Sequence, residues 1–222
     1  MEESRLTHYF VFQSTFNMSN KYVQDIAEIR KMMEKSSRFI SLSGLSGILA
    51  GIYALAGAYI AWKLAYATEE MVYSEQTVRN VRANWDYLML DAFAVLFLTI
   101  ITCIYLTRKK ARKEGVKTWD TVAQKLLVNL FIPLIAGGIL VIVLYTNGII
   151  GLIAPITLIF YGLGLLNASY YTYKDIRYLG ITEIILGLLA SIYIGYGLLI
   201  WAIGFGVLHI VYGAVMYFKY EK

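Results

Sequence analysis

The chain has 222 residues, of which 59% are hydrophobic and 16% charged, with a net charge of +5. A soluble domain carries about a quarter charged residues, so an ordinary water-soluble globule is excluded. The basic residues cluster between apolar stretches, which makes the positive balance a membrane-orienting bias and not a nucleic-acid surface.

The first 39 residues carry six basic side chains, Arg5, Lys21, Arg30, Lys31, Lys35 and Arg38. Residues 1–16 read as a tail whose Tyr9, Phe10, Val11 and Phe12 suit a membrane surface. From about Asn20 an amphipathic helix is expected. Val23, Ile26, Ile29 and Met33 recur at helical spacing, and Glu34 with Arg38 forms an i,i+4 pair. No cleavable signal peptide is expected, so the first apolar segment inserts as an uncleaved anchor.

A hydrocarbon slab about 30 Å thick needs about 20 apolar residues per helix. Six segments fit: residues 40–64, 88–106, 126–145, 149–169, 179–198 and 199–218. The last two form an apolar run of 40 residues. As one helix it would reach about 60 Å, so it must turn back, and the glycines from 195 to 206 are the expected place. Trp201 there suits an interfacial anchor. The runs do not alternate apolar and polar residues, which excludes a transmembrane barrel.

The gap at residues 65–87 holds Glu69, Glu70, Glu75, Arg79, Arg82 and Asp86, and the flanking helices are expected to continue into it. The gap at residues 107–125 is a basic loop. Its Arg108, Lys109, Lys110, Arg112 and Lys113 are the expected contacts to anionic lipid heads, each worth about 1 kcal/mol near the surface. Residues 145–148, Tyr-Thr-Asn-Gly, read as a tight turn with Gly148 at positive φ. Of the 20 basic residues, 17 fall on one side of this topology and three, Lys63, Arg79 and Arg82, on the other. The positive-inside rule then sets both termini in the cytoplasm. The chain reads as an all-α integral membrane protein with a cytoplasmic segment at 1–39, a six-helix domain at 40–222, and the bacterial-type inner membrane as its location.

Polar groups inside hydrocarbon are costly, so each needs a reason. Glu183 lies about one turn inside its span and His209 near the middle of the next. Their expected depths differ by about 6–10 Å at 1.5 Å per residue, a gap for a water or tyrosine hydroxyl to bridge. Together with Asn129 and Asn167 they are the candidate intramembrane polar site, suited to proton relay or cation binding. Asp91 is expected to pair with Lys63. Pro133 and Pro155 are expected to kink their helices. Ser43, Gly47 and Gly51, and Gly206 and Gly213, stand at helix-contact spacing, chiefly for packing within the chain, with a homo-oligomer seam as the other use. Cys103, the single cysteine, is a packing residue. No phosphate-binding loop, Cys/His cluster or nucleophile elbow is present, so no catalytic residue, metal or cofactor is expected.

Short motifs repeat: Gly47-Ile48-Leu49-Ala50-Gly51, Pro133-Leu134-Ile135-Ala136-Gly137 and Glu183-Ile184-Ile185-Leu186-Gly187 occupy the first, third and fifth spans. Residues 92–97 parallel residues 204–209. The pattern suggests three helical hairpins and resembles the HdeD-type bacterial acid-resistance membrane proteins, best over residues 180–222. That resemblance implies a stress-linked inner-membrane protein and supplies no functional residue. The first functional expectation is a non-enzymatic scaffold, sensor or stress-response component, with the bilayer, anionic lipid heads and a membrane partner as its contacts. The alternative is a small-solute or proton-linked transporter or channel using Glu183 and His209. A lipid-modifying enzyme is the third.

Overall fold

Long apolar runs become long helices, because a helix satisfies its own backbone where no water is present. The fold is that of a computed structural model, which describes residues 42–66, 74–115 and 119–222 together with Ile26 and Phe39. The chain divides into two units, Met1–Arg38 and Phe39–Lys222. In the first only Ile26 is described, helical and exposed. The expected tail and amphipathic helix of residues 1–39, and the charges Glu69, Glu70 and Lys117, lie outside the described residues.

In the second unit all described regular structure is helical. Helix α1 is Gly44–Ala65, α2 Glu75–Ala83, α3 Trp85–Glu114 and α4 Thr121–Thr146. Helix α5 spans Ile150–Tyr171 with a 3₁₀ turn at each end, α6 is Asp175–Ile192 and α7 is Ile194–Tyr220. Five of these, α1, α3, α4, α5 and α7, are long and apolar enough to cross a membrane. Helix α6 has 18 residues, but Asp175, Arg177 and Glu183 interrupt its apolar face. The unit is thus an all-α bundle compatible with a multi-pass membrane protein.

Several boundaries differ from expectation. The expected basic loop is largely helix: α3 runs on to Glu114 and stops at Gly115, whose φ of 68° suits glycine. Residues 108–113 therefore ride on its last turns. The 40-residue apolar run turns at Tyr193 and the 3₁₀ turn Ile194–Tyr196, at the near edge of the glycine-rich interval and not at residues 198 and 199. Pro133 lies inside α4 as expected, whereas Pro155 sits in the first α turn of its helix, where proline is tolerated and no kink is needed. Gly148 has the anticipated positive φ, 76°.

Helix α1 packs along α3 on one side and α7 on the other, while α5 packs along α4 and α6. Two glycine crossings set these distances. A Cβ on Gly51 would stand 2.5 Å from the Gly206 carbonyl, and one on Gly213 2.6 Å from the Ile48 nitrogen, so α1 and α7 meet backbone to backbone. Gly162 and Gly180 join α5 to α6 in the same way. In lipid such close approach is a main source of helix association.

Both ends of α1 are capped from afar. Glu221, beyond the end of α7, accepts the Gly44 N–H, and the Ser43 hydroxyl lies 3.3 Å from its other oxygen. At the far end the Asn84 and Asn80 side chains donate to the Leu64 and Ala65 carbonyls, both at 3.1 Å. Near Glu221, Lys110 donates to the Leu42 carbonyl at 3.0 Å and to the Tyr173 hydroxyl at 3.2 Å, with Glu221 at 3.5 Å. Its side chain is 9% exposed, so Lys110 serves the fold and is not free for lipid heads. Arg108, Lys109, Arg112 and Lys113 are exposed.

Asp175 accepts from Lys219 at 3.0 Å and from the Tyr220 hydroxyl at 2.6 Å. Burial raises the Asp175 pKa, but these hydrogen bonds outweigh it and leave the carboxyl below its ordinary 3.8.

Two outcomes follow from this packing. Gly51→Val, forced against the α7 backbone, should destabilise the detergent-solubilised protein by more than about 2 kcal/mol, while Gly138→Val, with open space around its Cβ, should melt like the parent. The Asp175 contribution is complete above the unfolded carboxyl's pKa and vanishes as pH falls through the lower folded value. Asp175→Asn should therefore melt earlier than the parent at pH 7, and the two melting curves should converge under strong acid.

Candidate functional site

Glu183 projects from the third turn of α6 into the bundle and has no exposed surface. Its seat is made by an absence: a Cβ on Gly204 of α7 would lie 2.5 Å from Glu183 Oε2. Neither carboxyl oxygen has a hydrogen-bond partner among the described residues. Within ion-pair distance stands the His209 ring, with Nδ1 3.5 Å from Glu183 Oε1.

The sequence expectation left a depth gap between these residues, and the position of the turn removes most of it. Glu183 stands ten residues before Tyr193 and His209 thirteen after Tyr196, a mismatch of about 4.5 Å at 1.5 Å per residue. No bridging group is needed. The tyrosine hydroxyl is present but on the opposite edge of the imidazole: Tyr161 Oη lies 2.7 Å from His209 Nε2.

The hydrogen bonds determine the tautomer. His209 Nδ1 lies 3.0 Å from the Gly204 carbonyl oxygen, which only accepts, so Nδ1 carries a proton. In the neutral ring Nε2 is then the acceptor, and Tyr161 donates to it. The Gly204 carbonyl belongs to a π-helical segment of α7, Ala202–Leu208, a geometry that widens the ladder and recurs at functional sites. Trp201, Phe205 and His209 follow at four-residue steps, the ring centroids 4.8 Å and 5.8 Å apart.

This aromatic stripe walls a cavity of about 620 Å³ between α1, α3, α4, α5 and α7. Tyr161 and His209 line it; Glu183 lies behind them. Helices α3 and α4 do not pack along their length. They meet in a stack of Trp85 on Tyr145, centroids 3.5 Å apart. Apolar clusters lie toward both ends: Leu165, Ile176, Leu179 and Met216 at one, Ala65, Val81 and Ile150 at the other.

The other expected members fall elsewhere. Asn129 donates to the Lys125 carbonyl of its own helix at 2.8 Å, and Asn167 is exposed; neither lines the cavity. The pair Lys63–Asp91 is not formed. Lys63 sits over the rings of Trp62 and Tyr59, at 4.5 and 5.7 Å from their centroids. Asp91 lines the cavity beside Gly57, where a Cβ would meet Val95 Cγ2 at 2.6 Å and the Asp91 oxygens at 3.3 and 3.5 Å. Trp201, expected as an interfacial anchor, lines the cavity, where its indole donates to Thr157 Oγ1 at 3.2 Å. Tyr161, the partner of His209, is one of 19 tyrosines and carries no mark in the sequence that sets it apart. Among the described residues no three His, Cys, Asp or Glu side chains gather as a metal site.

Fold and site together define a helical multi-pass bundle with ionisable groups in its apolar interior. Comparison with known proteins finds no family model, no curated protein and no solved structure that matches the chain. The HdeD-type resemblance rests on the quoted residues alone.

A buried carboxyl without partners does not strengthen a fold. Glu183→Gln should leave the melting temperature in detergent unchanged or raise stability by up to about 2 kcal/mol. A loss beyond that would make Glu183 a structural residue.

Proposed function

We propose that this chain is a proton-linked membrane transporter whose Tyr161–His209–Glu183 relay takes up and releases the coupling proton. The observation that carries the reading is the Glu183 carboxyl, fully buried and without a hydrogen-bond partner, beside an imidazole held at both nitrogens. A scaffold has no use for such a group, whereas intramembrane carboxyl–histidine pairs suit proton relays.

In the relay a proton arriving from the cavity at the Tyr161 oxygen lets that hydroxyl pass its own proton to His209 Nε2. As the ring swings from the Gly204 carbonyl, Nδ1–H closes the 3.5 Å gap and hands its proton to Glu183 Oε1. The ring ends neutral with the proton on Nε2, and Glu183 is neutralised. Reversal returns the proton. The apolar cluster around Leu165 and Met216 lies beyond the pair, which favours a carrier over an open pore.

The topology that goes with this reading is six spans in three hairpins, α6 joining the five long apolar helices as the fifth span in chain order, with both termini cytoplasmic in a bacterial-type inner membrane. Its support is the distribution of the basic residues. Arg108, Lys109, Arg112 and Lys113, all exposed at the end of α3, are then the side chains for anionic lipid heads.

Proteoliposomes loaded with a pH-indicating dye test the relay. An imposed pH gradient should collapse at least about tenfold faster than in empty liposomes. Glu183→Gln and His209→Ala should return to the empty-liposome rate, with Tyr161→Phe between. Equal rates for parent, Glu183→Gln and His209→Ala would refute the relay.

A further inference from the structure

We infer that the 620 Å³ cavity is a binding site for a lipophilic organic cation, its charge held by Asp91 and its apolar body by the rings of Trp201, Phe205 and Tyr161. As the substrate of the transporter this ligand rests on the reading above; as a bound ligand it does not.

Three observations converge on this class. First, Asp91 is a carboxylate that faces the cavity without an ion-pair partner among the described residues, since Lys63 is turned onto Trp62 and Tyr59. An intramembrane carboxylate calls for a cation, and an anion is repelled from it.

Second, the way in is lateral. Leu96 and Thr99 of α3 and Leu134 and Gly138 of α4 all line the cavity, yet these helices do not pack along their length. A Cβ on Gly138 would meet nothing within 4 Å. The flanking Phe93, Phe97, Ile135 and Ile139 are apolar and exposed, so the slot faces hydrocarbon. The stacked Trp85 and Tyr145 rings cross the bundle where α3 begins and α4 ends. A ligand arriving through such a slot must dissolve in the membrane.

Third, the remaining walls suit a bulky organic cation. Small residues of α1, Ala50, Ala54, Ala58 and Ala61, leave the width, and the aromatic faces of α5 and α7 attract a diffuse positive charge. A volume of about 620 Å³ falls in the range that holds drug-sized ligands. A neutral lipid tail would fill the same space but leave Asp91 unpaired.

The probe is tetraphenylphosphonium, measured by equilibrium dialysis against the full chain in lipid nanodiscs, with empty nanodiscs subtracted. Saturable binding near one per chain is expected. Asp91→Asn should weaken it at least about tenfold, Asp91→Glu should retain most of it, and tetraphenylborate, of like shape and opposite charge, should show no saturable binding. Gly138→Phe, which narrows the slot at an open position, should also weaken binding and serves if Asp91→Asn fails to fold. Glu183→Gln should still bind the cation saturably near one per chain while losing proton flux, so loss of flux with binding retained separates the two proposals. Binding no greater than to empty nanodiscs, or an Asp91→Asn protein that binds like the parent, would overturn the assignment; the second result would assign the cavity to neutral lipid.

Discussion

The Glu183 carboxyl, enclosed in the bundle with a single imidazole within ion-pair reach, is the constraint around which the rest of the structure is arranged. Hydrocarbon supplies no hydrogen bonds, so a polar group in it is costly unless the protein provides for it. Here the provision is spatial. Gly204 vacates the volume that the carboxyl occupies, and the π segment around it turns one carbonyl toward the ring of His209. Tyr161, from a different helix, holds the ring's other edge. Three helices must therefore keep their relative depth, and the backbone contact of Gly162 with Gly180 fixes two of them, α5 and α6.

A looser version holds at Asp91, which lines the cavity that Glu183 stands behind. A Cβ on Gly57 would meet Val95 Cγ2 first, at 2.6 Å, and the Asp91 oxygens at 3.3 and 3.5 Å, whereas one on Gly204 would meet Glu183 Oε2 at 2.5 Å. Both glycines lie beside a carboxylate from a neighbouring helix, which is a use of small residues distinct from bringing two backbones together. The glycines of this chain thus divide by what fills the space beside them. At 51, 162, 180 and 213 the nearest atoms belong to backbone or aliphatic groups, and the product is stability. At 57 and 204 carboxylate oxygens share the space, and the product is a place for charge.

How much of this was legible in the sequence depends on range. The helices were, because apolar runs of about 20 residues between charged gaps leave few other solutions. The turn at residues 193–196 was harder to place: no proline or polar pair marks it, and glycines recur on both sides. That small error in position displaced Glu183 from His209 on paper by several ångströms. The two residues themselves stood out as polar groups in apolar surroundings. Asn129 stood out for the same reason and was misread, because an asparagine in a helix can satisfy itself on the carbonyl four residues back. Lys110 belonged to an evidently basic cluster, and only its contacts with Leu42, Tyr173 and Glu221, all distant in sequence, set it apart. The Lys63–Asp91 pairing failed on helical phase, since Lys63 follows Tyr59 and Trp62 around α1 while Asp91 meets the face that carries Gly57.

The two carboxylates belong to different parts of the bundle, which meet at α7. Asp91 belongs to the arm formed by α1 and α3, Glu183 to the body formed by α4, α5 and α6, and α7 lies against both α1 and α6. The part of α7 that α1 grips includes the π segment, through Gly51 and Leu55 on Gly206. This segment carries the Gly204 carbonyl that receives the His209 Nδ1–H. Phe205 of this segment lines the cavity and Gly204 holds the His209 ring, so the proposed binding site and the proposed relay share one irregular stretch of α7.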